Sequence, residues 1–389
     1  MDFAPNNEEQ LVADTARAFA ERELAPRAAA RDRSEEFPEK EMRALGALGL
    51  LGVTVPAAYG GSDAGAVALA LAVAEVAAAD ASVAVTMSVT NMVAELIARF
   101  GTEPARQAFL PRLCSGDAVA GAFALSEAQA GSDPAAMTTV VERTAAGGYL
   151  LRGNKLWTTS GDRAGVLIVA ARNGNSIGRP GFSAFLVAGG APGLSVGKRE
   201  RKMGQHGSST VALTMDDVEV SVTDRLAGEG DGLKVALTGL GSGRVGIAAL
   251  AIGIGRAALA AATRYARERR QFDRAIGDFQ AVAFMLADAA TVLDAAWLLT
   301  ATAAWRKQRG LPFLRQAAQA KLYATERANE VCDRCLQILG GYGYTRDFPV
   351  ERYFRDARVT TLYEGTSQIQ RLVIARELLR AARGEAATI

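Results

Sequence analysis

Apolar positions along this chain change their spacing twice, and the changes divide it into three regions. Over residues 7–114 the spacing is helical: Leu11, Thr15, Ala18 and Phe19 share one stripe, and a second helix over 39–48 closes at Gly49. A turn at 56–61 precedes an Ala-rich helix that runs through Ala79. Over 117–227 the period shifts toward two, and 119–125, 149–159, 166–171, 182–187 and 211–215 read as strands. Gly147-Gly148, Gly153-Asn154, Gly174 and Gly189-Gly190 punctuate them. The spacing predicts a compact β-domain of about seven strands, a barrel or small sandwich. From Gly232 onward helical spacing returns in long runs over 245–270, 279–309, 313–339 and 366–383, which predicts a four-helix bundle. The class is therefore α+β, mostly α, with an N-terminal helical domain at 1–116, a central β-domain at 117–228 and a C-terminal bundle at 229–389.

Composition narrows the function. The chain has 389 residues, enough to bury a large core, and its 44 basic and 42 acidic residues leave a formal charge of +2. That balance argues against nucleic acid as the main partner. Only 7 of the 44 basic residues are Lys, which together with the abundance of Ala reads as genomic bias. Cys114, Cys332 and Cys335 are too few and too unevenly placed for a disulfide framework, so a reducing, cytoplasmic setting is expected. Cys332 and Cys335 have the spacing of a redox or metal pair. They lie within a helical pattern in a chain with a single His, so they read as small apolar residues on one helix face, and no metal is expected. That lone residue, His206, sits in a turn between strands and reads as a surface or substrate-rim contact. The segment from Met1 to Pro5 lacks a basic region followed by an apolar core, so no secretory signal is expected. The apolar stretch 64–85 is interrupted by Glu75 and Asp80 and reads as buried helix, not a membrane span.

Candidate chemistry concentrates in a few short segments. In Tyr363-Glu364-Gly365-Thr366-Ser367-Gln368 a carboxylate precedes a glycine and then a helix start, with Ser367 and Gln370 at capping-box spacing. Glu364 would sit in a pliable turn just outside that helix, able to reach a cleft and move a proton, while the helix amides favour an anion. A strand ends in Leu125-Ser126-Glu127 and leads to Gly131-Ser132-Asp133, a polar loop whose glycine lets backbone approach a ligand. Another ends in Trp157-Thr158-Thr159, a flat aromatic surface beside two hydroxyls, suited to a planar heterocycle. Arg269, in a basic cluster closing a helix, could clamp a diphosphate. Gln337 to Gly341 closes another helix with paired glycines.

In this order and spacing the segments resemble the acyl-CoA dehydrogenase family along essentially the whole chain. Gly243-Arg244, Phe272, Phe279 and Gln280 complete the resemblance. It implies a homotetrameric flavoprotein with FAD at the meeting point of three domains. Phe123, Leu125, Ser126 and Ser132 would meet the flavin ring on one side, with Trp157, Thr158 and Thr159 on the other. Arg269, Phe272, Gln280, Gln337, Ile338, Leu339, Gly340 and Gly341 would grip the diphosphate and adenine end, typically of a FAD bound mainly by the neighbouring subunit. Thr366 and Gln368 would add cofactor contacts.

The implied reaction is α,β-dehydrogenation of an acyl-CoA thioester to the enoyl thioester. Glu364 would take the α proton and flavin N5 the β hydride, with an electron-transfer flavoprotein as acceptor. The backbone amide of the base and a ribityl hydroxyl would stabilise the developing enolate. Gly365 would contact the substrate, Ser132 its carrier arm, and Arg244 would tune or orient the base. Some members place the base at the position that here is Gly243, so Glu364 is the candidate. Asp273 departs from the Gly common in the family at that turn. The competing readings are an acyl-CoA oxidase, a dehydrogenase of carrier-protein thioesters and, more remotely, a flavin-bearing nucleic-acid-binding relative. Overall length and the Gly243-Arg244 form point to short- or medium-chain acyl groups.

Overall fold

The computed structural model describes residues 4–178 and 181–384, so Met1 to Phe3 of the segment read above as lacking a signal lie outside the described residues. Six helices come first: α1 (Asn7–Phe19), α2 (Ala25–Ser34), α3 (Glu39–Ala47), α4 (Gly65–Ala79), α5 (Ala81–Phe100) and α6 (Glu103–Cys114). Asn6 and Glu9 form a reciprocal capping box at the start of α1. Asp80 caps α5 by accepting from the amides of Ser82 and Val83, and it also pairs with the buried Arg31 of α2 at 2.5 Å. One carboxylate thus starts a core helix and ties a second helix to it.

Eight strands form one sheet: β1 (Gly121–Ala124), β2 (Val140–Arg143), β3 (Tyr149–Thr159), β4 (Val166–Asn173), β5 (Phe182–Ala188), β6 (Leu194–Arg199), β7 (Thr210–Val220) and β8 (Arg225–Leu226). The order is β6-β7-β3-β2-β4-β5-β8, with β1 parallel to β4. In a flat sheet β3 and β5 would stand about 14 Å apart, three steps of about 4.8 Å. The Tyr149 and Phe185 rings on those strands nevertheless meet at 5.0 Å. The sheet is therefore curled around its own core of Leu151, Val169, Phe185, Leu213 and Val218. The sequence missed β2, β6 and β8 because β2 and β8 are very short and β6 is an almost wholly exposed strand without alternation.

The remaining helices are α7 (Gly232–Glu268), α8 (Gln280–Gln308), α9 (Leu314–Leu339), α10 (Val350–Arg358) and α11 (Ser367–Ala382); a small hairpin of β9 (Arg270–Gln271) and β10 (Arg274–Ala275) follows α7. Its two turn residues, Phe272 (φ 53°) and Asp273 (φ 64°), are both left-handed, as in a type I′ turn. Asp tolerates that conformation better than most residues, so the hairpin forms without the glycine. The α7 helix starts 13 residues before the expected position because Gly239, Gly241, Gly243 and Gly246 carry no apolar signal. Those glycines serve packing: an added Cβ would lie 2.8 Å from Leu96 at position 239 and 2.8 Å from Leu314 at position 241. The polar α10 escaped the sequence reading because it buries Arg352 and Asp356 alongside Val350 and Ala357.

Cys332 and Cys335 are buried on the inner face of α9, as small core residues. Among the described residues α5, α7 and α8 are long and apolar enough to cross a membrane. The apolar stretches of α5 and α7 are 89% and 72% buried by the fold, whereas that of α8 is only 17% buried and leaves Phe284, Leu298 and Leu299 exposed.

The tightest helix contact gives a test. A Cβ at Gly253 would overlap the carbonyl oxygen of Ala74 on α4 and come within 2.8 Å of the Ala77 Cβ. In a free helix Gly→Ala stabilises by about 1 kcal/mol. Here the obstacle is backbone, so Gly253→Ala is expected to destabilise by about 1–3 kcal/mol, read as a lowered urea midpoint. A raised midpoint would show that α4 and α7 do not meet this closely.

Candidate active site

Between α10 and α11 the chain reverses through two consecutive left-handed residues, Glu364 (φ 52°) and Gly365 (φ 84°). That conformation costs a Glu on the order of 1–3 kcal/mol. Hydrogen bonds to the turn's carbonyls hold it. Lys321 Nζ of α9 donates to Gly365 O at 2.7 Å, and Gln370 Nε2 donates to Gly365 O at 2.8 Å and to Glu364 O at 3.2 Å. Thr366 caps α11, its hydroxyl accepting the Ile369 amide at 3.3 Å. The expected Ser367–Gln370 capping box is therefore not the cap; Gln370 is occupied with the turn behind it.

The turn delivers the Glu364 carboxylate to Gly243 of α7, a position without a side chain. A Cβ at Gly243 would lie 2.6 Å from Glu364 Oε2 and 3.2 Å from Met92 Sδ. That oxygen is buried and has no hydrogen-bond partner. Burial pushes Glu364 up to about 7, and the positive charges of Arg244 and Lys321 restrain the rise. Arg244 is itself buried, with Nε unpartnered, and among the described residues no ion pair joins it to Glu364. Tyr363 is fixed from the β-domain: its hydroxyl accepts from Gln205 Nε2 at 3.3 Å, and the Gln205 amide donates to the buried Asp356 of α10. His206, next in that loop, where the sequence suggested a surface or substrate-rim contact, bonds Asp32 O at 2.9 Å and Lys202 O at 2.7 Å and so ties the β-domain to α2.

A second group of expected residues lies at the ends of β1 and β3. Leu125 packs with Ala236 and Leu240 of α7, one turn before Gly243 and Arg244. The loop after it is built on Glu127, which accepts from the Thr138 amide at 2.6 Å, the Thr139 amide at 3.0 Å and Lys155 Nζ at 2.8 Å. Lys155 also donates to Leu125 O at 3.1 Å, and the Leu156 amide to Ser126 O at 2.9 Å. Burial alone would raise Glu127, but Lys155 and the threonine donors outweigh it and hold the carboxyl well below the usual range. In β3 the register slips between Lys155 and Thr158, and the resulting bulge turns Trp157 (φ 58°) outward, 62% exposed. Thr158 and Ser160 beside it keep buried hydroxyls without partners. Ser132 and Gly131 lie on the exposed part of the loop, and a Cβ at Gly131 would touch nothing.

The third group stands apart. Arg269, Ile338, Leu339, Gly340 and Gly341 line one cleft of about 490 Å³ with Tyr265 and Tyr342. A Cβ at Gly340 or Gly341 would meet no protein atom, so the backbone there is open to a ligand. Gln337 and Gln280 are exposed nearby in sequence but do not line the cleft, and Phe272 projects on its hairpin 88% exposed. Arg244 lies within α7 and Arg269 directly follows its last residue, so about 25 residues at about 1.5 Å each put them roughly 37 Å apart. Thr366 and Gln368 belong to the Glu364 end.

Sequence reasoning missed Lys321 and the Lys155–Glu127 pair. A signal for Lys321 existed: it occupies an apolar seam of α9 with Ala317, Ala324, Ala328, Val331 and Cys335, where a charge is out of place.

Residues 6–117 match the N-terminal domain of acyl-CoA dehydrogenases, 122–218 the middle domain and 230–379 the C-terminal domain. The human mitochondrial short-chain specific acyl-CoA dehydrogenase is 42% identical over 96% of this chain and 90% of its own. The solved butyryl-CoA dehydrogenase from Megasphaera elsdenii has a TM-score of 0.95 at 40% identity, covering 98% of this chain and 100% of the other. A glutaryl-CoA dehydrogenase from Mycobacterium smegmatis in complex with FADH2 has a TM-score of 0.90 at 30% identity, covering 99% and 97%.

The buried pair beneath the loop is testable. Lys155 and Glu127 have side chains 0% and 3% exposed, so Lys155→Met strands a carboxylate and is expected to cost about 3–5 kcal/mol in urea unfolding. Adding Glu127→Leu should restore much of that loss. Because Glu127 titrates below its ordinary 4.5, the pair's advantage is present above that pH and fades below it. A Lys155→Met variant as stable as the parent at pH 7 would refute the pairing.

Proposed function

The chain belongs to the acyl-CoA dehydrogenase family, and from that premise we propose that Glu364 is the base that removes the α proton of its acyl-CoA substrate. The activity is FAD-dependent α,β-dehydrogenation of an acyl-CoA, and FAD is the cofactor. The observation that carries the assignment of the base is a buried carboxylate oxygen without a partner, set against Gly243 and titrating near neutrality.

The residues fit the cofactor. Partnerless buried hydroxyls at Thr158 and Ser160, the outward Trp157 face and the open backbone at Gly131 suit a planar, hydrogen-bonding ring beside Phe123, Leu125, Ser126, Ser132 and Thr159. When bound, FAD supplies the acceptor for the β hydride. The protein's part is positioning. Glu364 holds its free oxygen where an α proton can reach it, the apolar walls from Met92 and α7 exclude water, and Arg244 limits how far burial raises the base. The amide of Glu364, oriented by the left-handed turn, would stabilise the developing oxyanion of the thioester carbonyl. Gly365 and Ser132 would line the path of the thioester and its carrier arm.

Met92 and Leu96 press close to α7 below the base, and the human and Megasphaera relatives are named for short-chain and butyryl substrates. A short acyl group is the reading we favour. The 37 Å separation above, roughly 25 helical residues, exceeds what one dinucleotide spans. The Arg269 cleft would therefore serve the FAD of a neighbouring copy, and the apolar faces of α8 and α11, with Leu298, Leu299, Leu372 and Leu379 exposed, would join the copies in a homotetramer. An electron-transfer flavoprotein is the electron acceptor we propose. Three buried free thiols suit a reducing interior, so we assign the enzyme to the cytoplasm, to be checked by cell fractionation.

Anaerobic mixing with acyl-CoA thioesters should bleach the flavin, faster with butyryl-CoA than with palmitoyl-CoA. Glu364→Gln should retain FAD yet bleach about 10²–10⁴-fold more slowly; bleaching at the parent rate would discard the assignment. Only the ionised base accepts a proton, so with Glu364 near 7 the rate should climb as pH rises through that value and fall about tenfold per unit well below it. Leu298→Glu combined with Leu299→Glu should yield a smaller particle by light scattering that also loses FAD. An unchanged particle would rule out α8 as the joining face.

A further inference from the structure

Lys321 is 0% exposed in the seam of α9, where an alanine or leucine would pack at far lower cost than an ammonium. Of its three donors one is committed, to Gly365 O at 2.7 Å. Gly365 is the second residue of the left-handed turn, so the lysine grips the backbone directly after the base. Gln370 grips the same carbonyl from α11. The two side chains come from different helices, and neither is hydrogen-bonded to the Glu364 carboxylate.

We propose that Lys321 is a positioning residue for the base: its side chain locks the Glu364–Gly365 turn in the left-handed conformation and brings a positive charge near the carboxylate. This rests on the reading of Glu364 as the α-proton base. The charged groups facing the pair are Arg244 of α7, Glu326 of α9 itself and, behind Arg244, Arg376 of α11. Burial draws Lys321 down to about 7, and the opposing Glu364 charge keeps it from falling further. The carboxylate and the ammonium thus support each other's charged form within one desolvated pocket. Removing the ammonium leaves Arg244 alone to hold the carboxylate ionised, which raises the pH at which the base becomes available. Gln370 supplies neutral bonds to the turn and cannot replace that charge.

The test is an infrared titration of the carboxyl band in the FAD-loaded enzyme, assigned to Glu364 by its loss in Glu364→Gln. In Lys321→Met the midpoint should move up by about one pH unit, and flavin bleaching at pH 7 should slow by about tenfold and recover as pH rises. Lys321→Arg, which keeps the charge, should leave the midpoint close to the parent value. Lys321→Gln, which keeps a donor for Gly365 O and so tests the charge should Lys321→Met fail to fold, should move the midpoint as Lys321→Met does. An unmoved midpoint in Lys321→Met or Lys321→Gln overturns the proposal whatever the activity. A parent enzyme that bleaches with no thioester would sink the assigned reaction, while the titration would still judge Lys321.

Discussion

Glycines along α7 stand where a Cβ would collide with a neighbouring element, and the rest of the molecule is arranged around that constraint. Gly239 and Gly243 face Leu96 and Met92 of α5, Gly246 faces Ser88, and Gly253 meets the backbone of α4. On the other side Gly241 accepts Leu314 of α9 and Gly255 accepts Leu293 of α8. Close approach from both sides converts a long helix of poor intrinsic propensity into the centre of the fold. It also leaves, at Gly243, the gap in which the Glu364 carboxylate lies. Helix packing and the placement of that carboxylate therefore depend on the same kind of missing side chain.

Buried charge is the second organising cost, and the molecule meets it in two ways. Where architecture alone is at stake the charges are matched: Arg31 lies between Glu41 and Asp80, and Lys155 sits on Glu127. Each pair joins segments distant in sequence and leaves little unpaired. At the Glu364 turn the matching is incomplete. Glu364 Oε2, Arg244 Nε and Gln370 Oε1 are all buried without partners. Three orphaned polar atoms, one of them the carboxylate's own, gather at this turn, the kind of incomplete matching that clusters at functional sites.

Much of this was legible in the chain. The helical, β and helical order follows from apolar spacing, and the segment around Glu364 announces a carboxylate before a helix start. The less legible parts share one cause: their sequence signal is weak because a distant partner supplies the stabilisation. Glycines hid the first third of α7, since only α4, α5 and α9 reveal why they are there. The polar α10 is stabilised by bonds from Gln205 in the β-domain, and the Trp157 bulge by pairing of β3 with β7. Lys321 was passed over because its hydrogen-bond partner, the Gly365 carbonyl, lies 44 residues away.

The sequence by itself determined the periodicity of the elements and the inventory of reactive groups, Glu364 before its helix start among them. Only the tertiary structure decided that this carboxylate would titrate near neutrality. Desolvation is a property of the assembled pocket, and the two cations that limit it arrive on α7 and α9, far from Glu364 along the chain. A local segment can place an acid before a helix, but the field acting on that acid comes from the packed fold.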